Sequence, residues 1–118
     1  MDLPARRYLL ADARSIPTGH HQDEHPTRLT LGTRSFDDGF DGIAAGARFA
    51  VAGAGRRIVV TFARGYPAAQ IFSPPGGRFI CFEPMTAPTN ALRSGDGLRR
   101  VAPGERFTTV FRIAVDAD

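Results

Sequence analysis

Apolar positions in this chain fall in short runs, several of them alternating with polar residues, and hardly any segment carries the period of an amphipathic helix. The runs predict strands over residues 6–11, 28–31, 48–52, 57–64, 68–72, 78–83 and 106–115. Between them lie Pro17-Thr18-Gly19, Gly53-Ala54-Gly55, Pro74-Pro75-Gly76-Gly77 and Pro103-Gly104, where glycine and proline supply the φ values that turns require. The fold class that follows is all-β, an antiparallel sandwich. Internal repeats, low-complexity tracts and interdomain linkers are absent from the sequence, so residues 1–118 read as one domain.

Composition narrows the function classes. The 118 residues are 42% hydrophobic and 23% charged, and no apolar run has the length of a membrane span. Met1-Asp2-Leu3-Pro4 leads into Arg6-Arg7 and only a short apolar patch, which is not a signal-peptide pattern, so a cytoplasmic location is expected. The single cysteine, Cys81, excludes an intramolecular disulfide framework and fits a reducing compartment. With no histidine motif near it, Cys81 reads as a small inward-facing apolar residue rather than a nucleophile. Fifteen basic residues against twelve acidic ones give a net charge of +3, but all fifteen are Arg and they are scattered singly or in pairs. No basic stripe interleaved with aromatics appears, so nucleic acid is not an expected partner.

The strongest chemical signal is Phe79-Ile80-Cys81-Phe82-Glu83-Pro84-Met85-Thr86, an apolar run ending in one acid. Alternation places Phe79, Cys81 and Glu83 on one face and Ile80 and Phe82 on the other. A carboxylate among apolar neighbours has a raised pKa, which suits a general base or acid. Pro84 holds the residue before it extended. A solvent-facing glutamate on an edge strand is the commoner arrangement for this spacing. Asp37 and Asp38, in the loop-like segment Phe36-Asp37-Asp38-Gly39-Phe40, form a second candidate site. On an extended chain they point to opposite sides and so make no dyad, but one of them can accept a hydrogen bond from a ligand, and an Asx turn into Gly39 is the structural alternative. Calcium binding through Asp37, Asp38 and Asp41 lacks the ligand spacing of an EF-hand loop.

His20, His21 and His25 sit in a polar segment closed by Pro26, which ends any helix that could align them for zinc; a solvated loop is the expectation. Phe40, Tyr66 and Phe82 are candidates to stack on a ligand ring, and Arg64, beside Gly65-Tyr66, is a candidate to hydrogen-bond a hydroxyl or phosphate.

The run from Phe79 to Leu92 resembles the late-chain Glu-Pro signature of the aldose 1-epimerase (galactose mutarotase) family. Ala5-Arg6-Arg7 with Ser15-Ile16-Pro17-Thr18-Gly19 resembles the segment after that family's central histidine motif. Phe36-Asp37-Asp38-Gly39-Phe40 resembles its Asp-containing sugar-binding segment, and Tyr66-Pro67 with Gln70-Ile71-Phe72-Ser73-Pro74 resembles the strand before the Glu-Pro signature. Val101-Ala102-Pro103-Gly104-Glu105 resembles the turn before the last strand. The likeness runs from about Leu3 to Val115 and covers only the later portion of such a domain.

The resemblance implies a galactose-mutarotase-like β-supersandwich to which this chain contributes the later strands. It implies interconversion of α and β hexoses by ring opening, without a metal or organic cofactor. Glu83 would be the general base, and Asp37 would position the sugar, with Asp38 and Arg64 as further substrate contacts. The family's catalytic His-Pro-Tyr-Phe type motif has no counterpart in this sequence, so the general acid must come from elsewhere. The implied partner is a monosaccharide, with no membrane or nucleic acid. A sheet face that the family buries against its earlier strands would need cover from a second copy or from a complementary chain. A non-catalytic carbohydrate-binding module and an inactive fragment are the alternative readings.

Overall fold

The computed structural model describes residues 1–117: ten strands and one four-residue helix. In chain order these are β1 (Asp2–Leu3), β2 (Arg6–Ala11), β3 (Pro17–Glu24), β4 (Thr27–Arg28), β5 (Phe36–Asp41), β6 (Ala47–Gly53), β7 (Arg56–Arg64), β8 (Ala68–Ser73), β9 (Cys81–Met85), α1 (Ala91–Ser94) and β10 (Val110–Ala117). They form two antiparallel five-stranded sheets, in the orders β10-β7-β6-β1-β4 and β3-β2-β5-β8-β9. The all-β antiparallel sandwich expected from the pattern is the architecture observed. Among the described residues no helix is long and apolar enough to cross a membrane.

Register explains which side chains meet. In the first sheet Phe49 lies opposite Val60, and Ala47 opposite Phe62, so alternation turns these residues to one face. In the second sheet Phe40 pairs with Ala69, and Ile71 sits two residues on, facing the same way. Phe40, Phe49, Val60, Phe62, Ala69 and Ile71, with Leu3 and Ile43, form the buried core. The Phe49 ring stands 4.7 Å from Phe62 within its sheet and 5.6 Å from Phe82 across the interface, measured between centroids. Each buried phenylalanine contributes roughly 1.5–3 kcal/mol through removal of apolar surface from water.

Several elements differ from expectation. The segment 17–24 is edge strand β3 rather than a turn and a solvated loop. It is almost entirely exposed, so no apolar alternation marks it, and the ladder to β2 holds it extended. The segment 36–41 is β5, in the middle of the second sheet, despite two aspartates and a glycine, residues that strands disfavour. Its Phe36 and Phe40 face the core and outweigh that preference. β1 went unpredicted because it has only two residues. β4 is shorter than the predicted 28–31, and β10 begins at Val110 rather than at 106.

The predicted strand over 78–83 begins only at Cys81 and runs on through Pro84 to Met85. β9 is an edge strand, where a residue without an N–H is tolerated. Phe79 lies outside the strand, 53% exposed. Its carbonyl accepts a hydrogen bond from the buried Ser73 hydroxyl at 2.9 Å, which ties the loop before β9 to the end of β8.

Asp2 links three strands of the first sheet. It pairs with Ala50 of β6 through the backbone, while its carboxylate accepts from Arg28 of β4 and Arg57 of β7. Those two guanidinium hydrogen bonds lower its pKa from 3.8 to about 2. A carboxylate depressed in the folded state stabilises the fold above its unfolded pKa, and that stability disappears as pH falls through the folded value. Urea unfolding between pH 4 and pH 2 should therefore show a loss of stability that Asp2→Asn makes smaller, with the variant less stable than the parent at pH 7.

Candidate functional site

Ladder register sets His21 opposite Leu9, and Gly39 opposite Gln70 opposite Glu83; continuing the β2–β5 register one residue past Tyr8–Phe40 brings Leu9 beside Gly39, so the five form one row across the second sheet. These side chains share the outer face, away from the core. Asp37, two residues before Gly39 on β5, shares that face, and Gln70 Nε2 donates to Asp37 Oδ1 at 2.8 Å. Gly39 opens the middle of the row, where a Cβ would stand 3.3 Å from Gln70 Oε1. The result is a cleft of about 280 Å³ floored by Gly39, Gln70, Asp37 and Glu83 and walled by Leu9, Pro17, Met85 and Thr89. It lies near the lower end of the size range of small-molecule sites. One turn of the ladder away, Arg7 donates from Nε and Nη2 to both Asp41 oxygens at 2.7 and 2.8 Å, closing that end of the face with a fork-shaped ion pair.

Glu83 is exposed at the cleft rather than enclosed among apolar side chains. Phe82 turns to the core as alternation requires, but Cys81 and Met85, the neighbours on the Glu83 face, are only partly buried. The enclosure expected of an apolar strand is missing at Glu83, which lies on edge strand β9. Glu83 takes no part in the ion pairs of the described residues, which join Arg6 to Glu24, Arg7 to Asp41, Arg14 to Asp12, and Asp2 to Arg28 and Arg57. It is free to accept from a ligand.

Asp38 follows the opposite course. Its side chain faces inward, beside Tyr8, Arg6 and Glu24, where burial, then repulsion from Asp37 and Glu24, raises its pKa. Arg6 packs its guanidinium 5.0 Å over the Phe40 ring, pairs with Glu24 and donates to the Pro4 carbonyl at 2.9 Å. Desolvation lowers the Arg6 pKa. Asp37 and Asp38 thus point to opposite faces, as their adjacency required. Asp38 borders the cleft from β5, but its carboxyl belongs to the inward cluster.

Of the residues singled out in the sequence, Glu83 and Asp37 come together. Arg64 does not join them: it is exposed at the end of β7, in the other sheet, and lines no part of the cleft. The aromatic candidates are structural. Phe40 is core, Phe82 packs on Phe49, and Tyr66 packs on Phe62 and Phe111 while its hydroxyl accepts from Thr109 at 2.8 Å. Cys81 lies on the outer face opposite Phe72, not inward, because it shares the parity of Glu83. His21 stands at the far end of the row, four strand spacings or roughly 19 Å from Glu83 along the sheet. His25 lies past the end of β3 beside the inward cluster. Gln70, Gly39 and Leu9 escaped sequence reasoning. Gln70 had a signal, as a polar residue inside an otherwise apolar strand run, whereas Gly39 and Leu9 acquire meaning only from the register.

Fold and cleft together define an antiparallel β-sandwich protein with an acidic cleft on the outer face of one sheet. No protein-family model matches the chain, and no curated protein matches it. The likeness to aldose 1-epimerases stands on its short segments alone.

Because the Asp38 pKa is raised, its ionisation weakens the fold as pH climbs from the ordinary carboxylate range through the folded value. Asp38→Asn should raise the urea midpoint at pH 7 relative to the parent, and the difference should vanish by pH 3, where the parent carboxyl is protonated.

Proposed function

We propose that the cleft binds a monosaccharide and that Glu83 acts there as general base in anomer exchange, in the manner of the aldose 1-epimerases that the segments resemble. The observation that carries the reading is the grouping of Glu83, Gln70 and Asp37 on one face around a gap left by Gly39. Two carboxylates and an amide supply the acceptors and donors that sugar hydroxyls require, and Leu9 and Met85 offer apolar surface to the ring. In this reaction Glu83 takes the proton from the anomeric hydroxyl, the ring opens as its oxygen is protonated, and rotation before closure gives the other anomer. Asp37, held by Gln70, accepts from a second hydroxyl and fixes the ring. Water reaches the open cleft and supplies the proton to the ring oxygen, since His21 lies too far along the row for direct transfer. No metal or organic cofactor enters this scheme.

The position of His21 favours one alternative. A carboxylate without an acid on the opposite side of the ring binds a sugar as readily as it isomerises one, so a carbohydrate-binding module is the second reading.

The test is anomer exchange of galactose and glucose followed by NMR. The parent should accelerate exchange, and Glu83→Gln should lower that acceleration at least about a hundredfold, the lower range for loss of a positioned general base, while sugar titrations still saturate. Saturable binding without acceleration would select the binding module. A second variant checks the site itself: Gly39→Val keeps an ordinary strand conformation but fills the floor of the cleft, so it should abolish binding with the fold retained by circular dichroism.

A further inference from the structure

β10 is the outermost strand at one side of the first sheet. It pairs with β7 along one edge, and among the described residues its other edge is unpaired. Phe111, Ile113 and Val115 stand opposite Phe62, Val60 and Ile58, so they share the core-facing side of the sheet. Yet they are 48%, 62% and 60% exposed. Ile58, beside Val115, is exposed as well. Free edges are normally blunted by short length, proline, charged side chains or a bulge. β10 is eight residues long and has no proline, its two charges, Arg112 and Asp116, are of opposite sign, and its only irregularity, between Val110 and Phe111, leaves 111–117 regular.

The charges on this strand say what fits it. Arg112 and Asp116 lie on the opposite side from the apolar stripe, and Ala114 is midway between them. An antiparallel second copy of β10 keeps both apolar stripes on one side only if the two-fold axis passes through a residue. An axis at Arg112 or Asp116 sets like charges against each other; one at Ile113 leaves Arg112 facing Ala114 and Asp116 facing Val110, and one at Val115 leaves Asp116 facing Ala114. An axis at Ala114 puts Arg112 opposite Asp116 of the second copy twice over, sets Ile113 against Val115 twice, and pairs every residue from 111 to 117. Cross-strand ion pairs and apolar pairs of this kind are the units that select sheet register.

We infer that the protein self-associates through β10 as a two-fold dimer centred on Ala114, joining two five-stranded sheets into one continuous sheet. The dimer merges the two stripes into a single apolar strip and satisfies the free backbone edge. The surface is independent of the cleft, which lies on the other sheet.

Light scattering coupled to size exclusion, across a range of concentrations, should give twice the chain mass for the parent. Arg112→Asp should weaken association at least tenfold by setting like charges opposite each other, and the double exchange Arg112→Asp with Asp116→Arg should restore the dimer. Circular dichroism checks that each variant remains folded. Register is tested separately by oxidative cross-linking in a Cys81→Ser background: Ala114→Cys, at the axis, should form a covalent dimer, and Ile113→Cys should not. A parent that is monomeric at every concentration, a dimer indifferent to Arg112→Asp, or cross-linking that does not distinguish the two cysteine positions would overturn the inference.

Discussion

The contact of Phe49 with Phe62 and Phe82 is the constraint on which the rest depends. It joins the two sheets through β6 and β9, and it decides which side of β9 faces inward. Because strand side chains alternate, burying Phe82 leaves Glu83 no choice but the outer face. Ile71 and Phe40 do the same for Gln70 and Asp37 on the neighbouring strands. A slip of one residue in any of these ladders would bury a carboxylate or amide and expose a core residue. The cleft is therefore a by-product of the core: apolar packing on one face of the second sheet holds the polar row on the other.

Elements with an apolar face were legible in the sequence. β2, β6, β7 and β8 were predicted within a residue at each end, since each carries the alternation or apolar run that burial demands. β3 was not legible, because its extended form comes from hydrogen bonds to β2 and its side chains are nearly all solvated. β5 was obscured by Asp37-Asp38-Gly39, the very residues whose polarity and small size shape the cleft. The features that hid the strand are those that give its surface chemistry.

The site was legible in part for related reasons. Alternation alone predicted that Asp37 and Asp38 diverge and that Phe82 and Glu83 face opposite ways. What it could not convey was which strands are neighbours, and hence that Gln70 lies between Asp37 and Glu83 or that Arg64 belongs to the other sheet. Exposure of Glu83 was equally hidden, since an apolar run reads alike whether its strand is central or at an edge. The histidines gained a geometry only from β3, which sets His21 on the cleft face but at its far margin.

Pro84 sits within β9, at one margin of the second sheet, and it has a bearing on how this molecule behaves when crowded. Lacking an N–H, it interrupts the donors that an incoming strand would need. At the other margins, β4 spans only two residues and β3 carries acidic and imidazole side chains in close succession. Strand addition at those borders is therefore short or hindered, which leaves one border suited to growth. A particle with a single adhesive border closes after one addition, whereas a particle with two becomes a filament. A proline in the Glu-Pro pair thus favours assembly that stops over assembly that propagates.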